Sequence, residues 1–172
     1  MFILDGFNTL RESYVFYFAS IMLFGISIIT AAGRCYQALY KERINAWWYY
    51  LIEIIVQIIR IFQYILIISL STDTAIRDFN SIGFRDKISL SVYGMTVTDI
   101  IWEFVGFAII FGIYNLILNR LFTKHMIAGF MKKRQLTKFS VESVQLAVLL
   151  GYKNLLLIPV SFIYILVVLQ II

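Results

Sequence analysis

Residues 46–70, AWWYYLIEIIVQIIRIFQYILIISL, decide how this chain is read. The stretch can cross ~30 Å of hydrocarbon at ~1.5 Å per helical residue. It opens on Trp47, Trp48, Tyr49 and Tyr50, side chains suited to a headgroup boundary. Its body nevertheless holds Glu53, Gln57 and Arg60. On a helical wheel these three share one stripe with Tyr64, and the opposite face is Ile, Val and Leu. The Leu, Ile, Val and Phe residues supply roughly −6 kcal/mol of insertion free energy at about −0.45 each, while Arg60 costs about +3 and Glu53 a similar amount. Insertion is therefore nearly cancelled unless the polar stripe faces other helices or a wet cavity.

Three further apolar runs lie at 13–33, 100–121 and 154–172. The chain is 61% hydrophobic with mean hydropathy +0.86, too poor in polar residues to clothe a water-soluble surface. The expectation is a single domain, all-α: a polytopic integral membrane protein with four transmembrane helices in a bundle. Thr30-Ala31-Ala32 imitates a signal-peptidase site, but the run is too long, and Asp5, Arg11 and Glu12 before it lack a basic character. It is kept as a permanent span. Pro159 should kink the last span, with Ser161 or a neighbouring helix satisfying the freed carbonyl.

Between spans two and three, 71–99 is polar with nearly balanced charge: Asp73, Arg77, Asp78, Arg85, Asp86 and Lys87. Val92, Tyr93 and Met95 suggest that its later half touches the membrane surface. Between spans three and four, Arg120, Lys124, Lys132, Lys133, Arg134 and Lys138 alternate with apolar residues. Those at 122, 126, 127, 130 and 131 share a helical face, which predicts an amphipathic interfacial continuation of the third helix. The basic residues are candidates for contact with anionic lipid or a cytoplasmic partner, worth on the order of 1 kcal/mol each near a charged surface. Residues 139–153 either extend the fourth helix or form a short surface helix.

Connectors one and three carry Arg34, Lys41, Arg43 and those six basic residues; the opposite side carries Arg11, Arg77, Arg85 and Lys87. The positive-inside rule then places both short connectors in the cytoplasm and both termini outside. Abundant Ile, Phe and Tyr suggest a bacterial cytoplasmic membrane. A faint repeat relates residues 62–68 to 162–168, each following a basic cluster.

The third span brings Asp99 and Glu103, spaced to share one face. From estimated depths, an Arg60–Glu103 pair is expected between the second and third spans, with Glu53, Gln57 and Asn115 in the same seam. Such a seam sets helix register, conducts protons or cations, or forms a binding pocket for a substrate or lipid headgroup. Gly25, Ser27, Thr30 and Ala31 in span one are small enough for close helix packing.

Cys35 has no cysteine partner, and His125 has none at metal-ligand spacing. No nucleophile–base or metal constellation is visible, so neither an enzyme nor a cofactor is expected. The net charge of +5 sits at the ends of apolar runs without interleaved stacking aromatics, which argues against nucleic acid. Two functions remain: a subunit packing against itself or other membrane proteins through the seam, or a small oligomeric transporter or channel moving protons, ions or a small solute along it.

Overall fold

The structure, a computed structural model, describes residues 2–136 and 138–171. The side chains of residues 2–5, 87, 91 and 92 lie outside this description, and with them the contributions expected of Lys87 and Val92. The last residue of the expected fourth span, Ile172, also lies outside it.

Every long element is helical: α1 Phe2–Ala19, α2 Ile21–Leu39, α3 Ala46–Thr72, α4 Ile82–Tyr93, α5 Val97–Leu121, α6 Lys124–Lys133, α7 Val141–Tyr152 and α8 Ile158–Val168. A π-turn, Lys153–Leu157, joins α7 to α8, so that Val141–Val168 runs as one helix. Four helices are long and apolar enough to cross a membrane: 21–39, 46–72, 97–121 and 141–168. This is the make-up of a helical membrane protein.

Polar caps punctuate the chain. Asn45, Thr96, Thr123 and Ser140 each accept a backbone N–H at the start of the helix that follows. Asp73 closes α3 in the left-handed conformation, φ 51°. Ser20 has the largest effect. Its backbone is extended and its hydroxyl caps α2, so the expected first span 13–33 is divided there. The apolar count did not register a cap inside an uncharged run. The observed spanning helix, 21–39, takes in Arg34, which the sequence had assigned to the connector.

Helix α2 runs antiparallel to both α3 and α7. A Cβ on Gly33 would come 2.8 Å from Val56, and one on Gly151 would come 2.5 Å from the Cys35 sulfur. Lipid offers no hydrophobic drive between helices, so such close approach supplies the packing. Ser27, Thr30 and Ala31 are buried as part of it, whereas a Cβ on Gly25 would meet open space. Helices α3 and α8 run parallel, and Tyr64 stacks on Phe162 at 4.2 Å, bringing the two similar apolar stretches together. Toward one end, Tyr17, Leu23, Leu66, Ile67, Val160, Ile163 and Leu166 form an apolar core.

Pro159 has no N–H for the Leu155 carbonyl one turn earlier. The π-turn forms at this point, and the Tyr17 hydroxyl donates to that carbonyl at 2.5 Å. Ser161 donates instead to Ile158.

The basic connector differs from expectation. Thr123 starts α6 as a separate helix, and Ile127 and Met131 are buried against Val144 of α7. Met126 and Phe130, counted on the same face, stay exposed. Connectors one and three do share a side: Arg43 donates to the Lys138 carbonyl at 2.7 Å and lies over the Phe139 ring.

Candidate intramembrane polar site

The site grows from Glu53, about two turns inside α3. Arg34 of α2 grips its carboxylate with two nitrogens, Nη2 donating to Oε1 at 2.6 Å and Nη1 to Oε2. Planar guanidinium matches planar carboxylate here, which orders both side chains. Gln37, one turn along from Arg34, accepts from Arg34 Nη1 at 3.1 Å and donates to the Tyr49 carbonyl at 2.9 Å. Gln57 donates to Glu53 from the other side at 2.9 Å. The i, i+3 and i, i+4 spacing of α3 then carries the chain onward. Arg60 Nη1 donates to Gln57 at 3.2 Å, and Nη2 donates to the side-chain oxygen of Asn154 in the π-turn. Asn154 is buried and donates its own amide to the Leu150 carbonyl at 2.7 Å.

The network thus ties α2, α3 and the π-turn into one seam running Gln37, Arg34, Glu53, Gln57, Arg60, Asn154. A separate bond lies further along, where Gln63 of α3 donates to the Ser27 hydroxyl at 2.6 Å. Past Gln63, Leu66 and Ile67 belong to the apolar core.

Of the residues the sequence nominated, Glu53, Gln57 and Arg60 come together. Asp99, Glu103 and Asn115 do not join them. Asp99 forms a capping box with Thr96 at the start of α5. Glu103 makes no hydrogen bond or ion pair among the described residues. It lines a shallow cleft with Gly94, Met95, Asp99 and Gln170, beyond the end of α8. The expected Arg60–Glu103 pair does not form, for a geometric reason. Glu103 is level with Gln170 and Arg60 with Asn154, a separation of about 24 Å along the last helix. Helix α3 packs on α2 and α8, whereas α5 packs on α1 and α8.

Asn115 belongs to a second polar patch on α5. Its side-chain oxygen is buried without a hydrogen-bond partner among the described residues. Beside it in sequence, Tyr114 accepts from the Tyr14 hydroxyl at 2.7 Å and lies 3.4 Å from the Tyr152 hydroxyl.

The basic residues are spread along one side. Arg120 lies in the last turn of α5, and Lys124 donates to Glu142 at 3.0 Å across exposed surface. Lys132 and Lys133 occupy the last turn of α6 and Arg134 caps it, where positive charge suits the helix dipole. Lys138 contributes its carbonyl to Arg43.

The sequence reading missed Arg34, Gln37 and Asn154. Arg34 and Gln37 were legible as an i, i+3 pair once the helix was allowed past Gly33. Asn154 was not, because its role depends on which helix α3 meets. Among the described residues no three His, Cys, Asp or Glu side chains gather as a metal site would require. Comparison with protein-family models, curated proteins and solved structures finds no match to this chain.

Proposed function

We propose that this chain is an integral membrane subunit that assembles with other membrane proteins, using the polar seam of α2, α3 and the π-turn as its organising element. One observation carries the reading: the seam does not balance its own charge. Arg34 and Glu53 neutralise each other, but among the described residues Arg60 bonds only to neutral Gln57 and Asn154. A lone guanidinium at this depth costs about 3 kcal/mol on insertion scales, which a partner in the membrane offsets. The alternative of a conductor has less support. The polar chain ends at Arg60 and Asn154; past the separate Gln63–Ser27 bond lie Leu66 and Ile67, and a path for ions would have to pass through that core.

On the same reading the basic side, with α6 and the two short connectors, faces the cytoplasm, and its lysines and arginines lie against anionic headgroups. The host is a bacterial cytoplasmic membrane.

Extraction of the native membrane into lipid nanodiscs, followed by mass measurement of the intact particle, tests the assembly reading. A second polypeptide, or a second copy of this chain, in fixed ratio is expected. A particle holding one chain alone would refute it. So would proton or ion flux in liposomes from the purified chain that Glu53→Gln abolishes.

A further inference from the structure

Arg60 is not the only uncompensated charge at its level. Lys153 precedes Asn154, so it occupies the same depth, near the middle of the 141–168 helix. Its side chain makes no hydrogen bond or ion pair among the described residues. Three cations, Arg34, Arg60 and Lys153, are therefore set against one carboxylate in this stretch, Glu53, and Arg34 already holds it. The aromatic cluster at the start of α3 gives the depth. Exposed Trp48 marks the boundary, and Arg60 lies about 18 Å further along the helix, near the bilayer centre. Neither side chain is long enough to reach water from there.

Among the described residues, no ion pair joins an acid to Arg60 or Lys153. Asp99 and Glu103 lie level with Gln170, about 24 Å toward one end. Glu142 lies about 17 Å toward the other and is paired with Lys124. A second copy inserted in the same direction carries its acids at the same wrong depths, and its Glu53 is already engaged. The counter-charge must come from a different molecule. Its approach is open on the outer side of α3. Gln57 is exposed, and Ile54, Ile58 and Ile61 around it are 56%, 60% and 59% exposed.

We infer that the outer face of α3, Ile54, Gln57, Ile58 and Ile61, docks a transmembrane helix of a different polypeptide, whose Asp or Glu at mid-bilayer depth pairs with Arg60 and Lys153. The inference rests on the assembly reading and names the partner's chemistry. An apolar helix surface meets apolar α3, and one carboxylate meets two cations where water is absent. The alternative to pairing is an unsatisfied charge in hydrocarbon.

The test uses the full chain in phosphatidylcholine liposomes at pH 8 with a labelled Leu/Ala transmembrane peptide bearing one central Glu. Association is read by energy transfer against the same peptide carrying Gln or Leu. At least tenfold tighter association of the Glu peptide is expected, retained by Arg60→Lys and lost in Arg60→Gln with Lys153→Gln. Arg60→Glu combined with Lys153→Gln should in turn prefer a peptide with a central Lys. That charge reversal separates pairing from a folding defect. Equal association of all three peptides would overturn the inference. So would a Glu preference that phosphatidylglycerol in the vesicles abolishes, which would make a headgroup phosphate the counter-ion. A native partner that co-purifies equally with Arg60→Gln would leave the assembly reading standing and remove this one.

Discussion

Helices α3 and α5 are alike in length and hydropathy, 27 residues at 2.2 and 25 residues at 2.0, and each carries a glutamate one to two turns from its start. Their surroundings differ. Glu53 is held by Arg34 from a neighbouring helix and by Gln57 from its own. Glu103 is held by nothing among the described residues, in a cleft at the end of the bundle. Helix α3 buries Val56, Gln63, Leu66 and Ile67 within its length, while α5 buries Ile110 and Leu118. Hydropathy records that both helices can cross a bilayer. It does not record which one is fastened by charge, because fastening depends on a second helix arriving at the right depth and rotation.

The contrast can be broken most directly at Glu53. Glu53→Gln leaves the Arg34 guanidinium without its carboxylate, and a loss of about 3 kcal/mol is expected, read as unfolding in mild detergent under denaturant. Adding Arg34→Gln should return most of that loss, since removing both charges removes the unpaired one. A double variant as weak as the single would mean that the pair is not what fastens α3.

At α5 the strongest local device is the capping box. Thr96→Ala removes the hydroxyl that accepts the Asp99 N–H at 3.2 Å, and about 1 kcal/mol should be lost, with fraying of the first turn detected by hydrogen exchange. Glu103→Gln should cost least, within about 0.5 kcal/mol, because its carboxylate has no hydrogen bond or ion pair among the described residues to lose. If that variant matched Glu53→Gln in the same assay, the two helices would not differ as described, and Glu103 would have a partner supplied by the assembly.

Much of the site's legibility followed from α3 alone. The i, i+4, i+7 spacing of Glu53, Gln57 and Arg60 put them on one face before any neighbour was known, and the structure joins all three. Arg34 was hidden by the apolar count, which stopped the first span at the first charge. The chain itself stops being helical earlier, at Ser20, and continues helical through Arg34 to Leu39. Lys153 was hidden in the same way, as the apparent border of the last span, because charge was used to mark the edges of helices that in fact run through it. The Glu103 pairing failed because depth was estimated from each span's own centre, and helices of different length do not share centres.

Sequence alone determined that the chain is helical, that four of its segments can span hydrocarbon, and that α3 must turn one face away from lipid. Those conclusions follow from the transfer cost of side chains and from the 3.6-residue period, both local properties. Tertiary structure alone decided which partner each polar group met: Arg34 for Glu53, Asn154 for Arg60, Tyr17 for the carbonyl freed by Pro159, and, among the described residues, none for the side chains of Glu103 or Lys153. Pairing in a bundle is set by the relative height and rotation of whole helices, and close packing at Gly33 and Gly151 fixes both at once.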